Sequence, residues 1–217
     1  MFDLGRSFIA TVERSPSALA VVDGDRRLSY AQWYAEVCRV IDGLAALGLR
    51  KGDHLAVVLR NRLAMASLHW ACQLAGIVIV PLNWRAKAEE LDFCMTDAEA
   101  HAIVYEQVSS AAVAGSAVAQ ILPRVAVGAA AGATDHFEIF ADVGREHTPQ
   151  AGPADFSLIF TPREPPGCRK ACRAATAPSA PQHSPMSLRT FTPSASALSA
   201  RCRSTTRWGC VRCWRWC

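Results

Sequence analysis

Acidic side chains all but vanish from the last part of this 217-residue chain. After Phe160 only Glu164 remains, against ten Lys and Arg. Residues 161–217 therefore carry a net charge of +9, whereas residues 1–160, with 18 acids and 13 bases, carry −5. Long apolar runs are also lacking. Gly76 to Leu82 is short and holds Pro81, and the Ala/Val-rich stretch 110–133 is broken by Gln120, Pro123 and Arg124, so no transmembrane segment is expected. Asp3 and Arg6 interrupt the N-terminus, which argues against a secretory signal. Cysteines are few in the first part, where Cys38, Cys72 and Cys94 are scattered as reduced core thiols would be, and a cytoplasmic location is expected. Six more cysteines crowd into 168–217.

What is present up to Phe160 alternates strand and helix. Residues 4–14 read as an amphipathic helix ended near Ser15-Pro16, and Ala18 to Val22 as a strand. Asp23-Gly24-Asp25 then turns the chain back to Arg27-Leu28-Ser29. Ser29 and Gln32 make a capping box. Behind it Trp33, Val37, Ile41 and Leu44 share one helical stripe, and Gly48 is placed to end the helix. His54 to Leu59 is a strand apolar on both faces; Asn61 is expected to cap a helix that runs to about Leu74 and stops at Gly76. Ile77 to Val80 is a second buried strand stopped by Pro81, followed by a helix over 87–96 and a strand over 102–105. Residues 107–133 suggest one weak helix and a short strand at Val125 to Val127. His136 to Asp142 suggests one more strand, 145–154 a linker, and Asp155 to Phe160 a last strand. The alternation implies an α/β fold with a parallel sheet.

No constellation in this part spells out chemistry. His54, His69, His101 and His136 lack metal-ligand spacing. Glu89, Glu90 and Asp92 suit the first turn of a helix as surface acids. Gly128 to Gly132 has no strand-turn-helix context for a phosphate fingerprint. In the basic part, Cys210 and Cys213 with Cys168 and Cys172 allow a zinc-binding reading, and the Arg/Trp alternation from Arg207 to Trp216 allows single-stranded nucleic-acid binding. The Ser/Ala/Pro/Thr-rich sequence between them offers neither a supporting core, so no metal site and no specific nucleic-acid partner are expected.

Four runs carry a family likeness: Leu28-Ser29-Tyr30-Ala31-Gln32, Leu47 to Asp53, Val57-Val58-Leu59-Arg60-Asn61, and Leu74 to Asn83. In this order they resemble the opening of the adenylate-forming acyl- and aryl-CoA ligases, the AMP-dependent synthetase and ligase superfamily. All four are scaffold motifs, so the resemblance assigns no catalytic or cofactor-binding residue here. It implies a strand at Ser157 to Phe160 that feeds a Ser/Thr/Gly-rich phosphate loop, Y-T-S-G-T-T-G-x-P-K-G. Such a loop closes backbone N–H groups and a lysine on ATP phosphates. This chain instead reads Thr161-Pro162-Arg163-Glu164-Pro165-Pro166-Gly167-Cys168-Arg169-Lys170, whose prolines remove the donors.

A slipped reading frame accounts for the loss. Taking the last base of each codon from Phe160 with the first two of the next, Phe160 to Cys172 can be read as Y-T-S-G-T-T-G-L-P-K-G-V. The same shift over Arg201 to Cys217 can give M-P-L-Y-H-T-M-G-V-R-S-L-L-A-M-V, which resembles a later, histidine-containing family motif. Tryptophan has a single codon, so the Gly across Trp208/Gly209 and the Val across Trp216/Cys217 are forced. One base is inferred lost near codon 160.

The expected architecture is the incomplete N-terminal portion of a layered parallel-sheet adenylation domain over 1–160, followed by a disordered, out-of-frame tail over 161–217. The resemblance implies ATP, Mg2+ and coenzyme A as requirements of the intact enzyme, acting on a small-molecule carboxylic acid. The later adenine- and magnesium-binding motifs and the mobile C-terminal domain with its lysine are not found in the sequence. Weak binding of all three, catalytic inactivity, and aggregation through exposed sheet edges are therefore expected.

Overall fold

The computed structural model describes residues 4–140, 146–152, 154–160 and 172–175. Helix α1 (Leu4–Arg14) leads into a hairpin of β1 (Leu19–Asp23) and β2 (Arg26–Ser29). Helix α2 (Tyr30–Ala46) starts on the expected capping box: Gln32 N donates to Ser29 Oγ at 3.3 Å and Ser29 N to Gln32 Oε1 at 2.9 Å. Gly48, at φ +90°, supplies the left-handed residue that ends it. The rest is β3 (His54–Val58), α3 (Leu63–Ala75), β4 (Val78–Pro81), α4 (Ala88–Asp97) and β5 (Ala102–Glu106), then two short helices α5 (Ser110–Gly115) and α6 (Ala117–Ile121). β6 (Arg124–Val127), β7 (Asp135–His136), β8 (Phe156–Phe160) and β9 (Cys172–Ala175) complete it.

The main sheet has the order β7-β6-β5-β3-β4-β8-β9, parallel throughout except for β8 against β9. Its layering follows from crossover handedness. The crossover from β3 to β4 moves one way across the sheet; the crossover from β4 to β5 moves back past β3. Both being right-handed, α3 and α4 must lie on opposite faces. Leu55 and Val57 accordingly join Leu44, Leu68 and Leu74 in one core, while Ala56, Val58 and Tyr105 join Leu91 and Met95 in the other. A strand covered on both faces has no reason to alternate apolar with polar, which is why His54 to Leu59 reads as one apolar run. On the first face Phe8 of α1 stacks on Trp70 with centroids 4.5 Å apart and meets Trp33 edge-on at 5.4 Å.

Three local expectations are corrected. Asn61 does not cap α3: the Leu63 N–H donates at 2.8 Å to Asp23 Oδ2, in the hairpin turn forty residues upstream. The stretch 107–133 forms two short helices rather than one, because Asp92 of α4 accepts from Ser116 Oγ (2.5 Å) and Val118 N (3.0 Å) and starts a new turn there. The strand expected over 136–142 stops at His136. Phe137–Ile139 makes a 3-10 turn that lays Phe140 on Gly43 of α2, so closely that a methyl group on Gly43 would fall 2.2 Å from the ring. Residues 141–145 lie outside the described set. Of the tail expected to be disordered, Cys172–Ala175 is described, as a strand; its remaining residues lie outside the described set.

Candidate functional site

Val58, Pro81, Glu106, Val127 and Phe160 end their parallel strands on one edge of the sheet. Sheets of this kind receive ligands at the carboxyl ends of the strands, where successive crossovers leave in opposite directions. Here that point lies between β3 and β5, and Glu106 fills it. Its side chain is 2% exposed. Oε1 accepts from Arg60 N at 2.6 Å and Arg60 Nε at 3.2 Å; Oε2 accepts from Arg60 Nη2 at 3.0 Å and Arg62 Nη1 at 2.9 Å. Burial pushes the carboxyl upward, but the Arg60 side chain and N–H, with the charges of Arg60 and Arg62, outweigh it and hold the group below its usual value. A carboxylate so occupied is neither a free base nor a metal ligand. It ties the ends of two strands together.

A second polar chain runs along the helical face. Trp33 Nε1 donates to Ser67 Oγ (3.0 Å), Ser67 Oγ to Glu36 Oε1 (2.9 Å), and Arg26 Nη2 to Glu36 Oε2 (2.7 Å). Beside it a cavity of about 450 Å3 opens near the ends of β3 and β6, with Arg39, Arg62, Phe137 and Phe140 in its walls.

The strand that matters most to the sequence reading, β8, is held from behind. The segment 146–152 is pinned across α2 and α3: His147 Nε2 lies 3.0 Å from Asp42 Oδ1, and Gln150 N donates to Leu74 O at 2.8 Å. Tyr34 OH donates to His147 O at 3.1 Å, and burial pushes that phenol up to about 12. Lys51 Nζ then meets both Gln150 O (2.9 Å) and Asp155 Oδ2 (2.7 Å). That last contact, with the Gly152 N–H, holds the Asp155 carboxyl below its ordinary range. The described part of the linker expected over 145–154 is thus a polar strap beside β8, which lies next to β4 with Leu158 paired to Ile79. β8 points Phe160 at the carboxyl edge, and β9 returns antiparallel to it. The segment 161–171 between them, where the phosphate loop is expected, lies outside the described residues, as do Cys168, Cys210, Cys213 and the Arg/Trp run.

The described histidines are not gathered into a site. His54 and His101 stand at the opposite, amino edge, where His101 Nδ1 accepts from His54 N at 3.2 Å and Nε2 is 3.6 Å from Asp53 Oδ1. His69 packs its ring on Trp70, and burial lowers its pKa. His136 is exposed on β7. Glu89 and Glu90 are exposed acids in the first turn of α4, as expected, whereas Asp92, expected as a third surface acid, is half-buried and accepts from Ser116 and Val118. Among the described residues no group of three or more His, Cys, Asp and Glu is arranged to hold a metal ion, and no helix is long and apolar enough to cross a membrane. Sequence reasoning missed the Glu106 cluster. A lone glutamate after an apolar strand gives no sign of burial, and its partners lie 44 and 46 residues away.

Three comparisons bear on this geometry. The family model described as AMP-binding enzyme matches residues 8–170, ten residues beyond Phe160. A feruloyl-CoA synthase of an Amycolatopsis species is 36% identical over 125 residues, which are 58% of this chain and 25% of that one. The chain thus spans about a quarter of the length of that curated relative. The inhibitor-bound N-terminal domain of FACL13 from Mycobacterium tuberculosis superposes with a TM-score of 0.68 at 25% identity, over 81% of this chain and 45% of that one. An anthranilate CoA ligase in complex with anthranoyl-AMP gives a TM-score of 0.72 at 15% identity, over 81% and 35%, a likeness of fold alone.

Proposed function

The chain belongs to the AMP-binding enzyme family, and from that premise we propose that residues 1–160 are the N-terminal scaffold of an ATP-dependent carboxylic acid–CoA ligase. In such an enzyme a carboxylate oxygen attacks the α-phosphorus of ATP and pyrophosphate leaves. The thiol sulfur of coenzyme A then attacks the acyl carbon and AMP leaves. The observation that carries the proposal is the placement of β8, strapped beside β4 so that the strand ends with Phe160 at the carboxyl edge of the sheet. The acyl-CoA ligases among the relatives support it.

This chain does not itself fit the nucleotide. Thr161 to Lys170 contains three prolines where a phosphate cradle needs N–H donors. The buried acid at the edge, Glu106, is taken up by two arginines and has no room for Mg2+. A one-base slip near codon 160 explains both the lost loop and its reappearance in the neighbouring frame. The 217-residue protein is accordingly inactive, a cytoplasmic scaffold without its phosphate loop. The test is pyrophosphate exchange into ATP with a panel of fatty and aromatic acids, run on this chain and on the product of the gene with one base restored. Exchange by the 217-residue chain sinks the inactivity. Coding DNA across codons 160–172 that does not spell the loop in the shifted frame sinks the slip.

A further inference from the structure

The cavity beside the carboxyl edge has chemistry of its own, and its sign can be worked out from the partners of its walls. Three acids reach it, and each already has a donor. Asp23 accepts from Leu63 N at 2.8 Å, Glu138 from Gly128 N at 2.7 Å, and Glu36 from Arg26 and Ser67 at 2.7 and 2.9 Å. Of its three arginines, Arg26 is on Glu36 and Arg62 on Glu106. Arg39 differs. It only approaches Glu36, at 4.0 Å, too long for a hydrogen bond, and its side chain is 39% exposed. Among the described residues each of the three carboxylates already accepts a hydrogen bond, whereas Arg39 donates none. An anion gains a charge-assisted hydrogen bond from Arg39 without breaking any. The remaining walls, including Val40, Ala64, Val127, Phe137 and Phe140, are apolar. The two phenyl rings, 5.6 Å apart and tilted by 61°, form one aromatic side of it. The volume of about 450 Å3 is in the range of small-molecule pockets.

We propose that this cavity is a binding site for a small organic anion with a flat apolar body, its anionic head on Arg39 and its body against Val127, Phe137 and Phe140. The site is separate from the end of β8, requires no nucleotide, and does not rest on the ligase reading.

The probe is benzoate, titrated into the 217-residue chain without ATP and followed by amide NMR shifts, with the uncharged isostere benzamide as the second arm. Saturable shifts centred on Arg39, Ala64 and Val127 are expected, with benzamide about tenfold weaker. Arg39→Ala, a change at a partly exposed position, should weaken benzoate about tenfold, and Arg39→Lys should recover most of the loss. Ala64→Leu, which narrows the cavity, should weaken the shifts while far-UV circular dichroism stays unchanged. The proposal is overturned by the absence of saturable shifts at these residues, by benzamide binding as tightly as benzoate, or by Arg39→Ala binding unchanged. Since benzamide and Arg39→Ala leave the core untouched, a folding failure of Ala64→Leu does not protect the proposal.

Discussion

β3 and β8 belong to the same sheet and run in the same direction, yet they are finished to different degrees. β3 has hydrogen-bonded neighbours over its length on both sides, and Leu55, Ala56, Val57 and Val58 are each at most 1% exposed. β8 shares one registered pair with β4 and is bordered on its other side by the antiparallel β9. It buries Ser157 and Ile159 on one face, while Phe156 and Phe160 on the other remain 47% exposed. The difference shows where this sheet is self-sufficient. Around β3, helices cover both faces and the polar strand ends are joined by Glu106. At β8, one face has apolar side chains and water for company, and a polar strap adds to the pairing with β4 and β9 in holding the strand.

The contrast can be broken most forcefully from its closed side. Leu68→Ala, in the core over β3, should cost about 3 kcal/mol in urea unfolding; a loss below 1 kcal/mol would mean that the closed half is not close-packed. Glu106→Gln should cost about 2 kcal/mol, less than a fully buried pair because both arginines reach solvent. It also carries a pH signature. The folded pKa of Glu106 is depressed, so its contribution is complete above the ordinary glutamate value of about 4.3 and is lost as pH falls below that toward the folded pKa. Acid unfolding curves should therefore be shallower in Glu106→Gln; identical slopes would remove Glu106 from the account.

Asp23→Ala should cost about 1 kcal/mol by uncapping α3, with Asn61→Ala neutral, and the reverse order would restore Asn61 as the cap. The smallest effect belongs to the open side. Phe160→Ser should change stability by no more than about 0.5 kcal/mol while raising the concentration at which light scattering begins. A loss comparable to that of Leu68→Ala would show that the two strands are equally buried after all.

Most elements up to β6 were legible because their causes are local. The capping box of Ser29 and Gln32, the stripe from Trp33 to Leu44 and the left-handed Gly76 at the end of α3 depend on residues a turn or two away. The apolar runs of β3 and β5 are legible for the same reason, and their continuity already says that both faces are covered. The break at His136 was not legible. Phe140 answers to Gly43, nearly a hundred residues earlier, and no alternation within 136–142 can reveal that.

By itself, then, the amino-acid order settled most elements up to β6, the α/β class and the family, since short-range sterics and periodic burial leave their mark on consecutive residues. Only the folded chain decided which polar groups meet. Asp23 reaches α3, Arg60 and Arg62 close on Glu106, Lys51 straps Asp155, and Arg39 is left facing a cavity. Each of those outcomes depends on crossovers bringing together residues forty or more positions apart, or, for Arg39, on what the packing places opposite it. No local pattern records a partner at that distance.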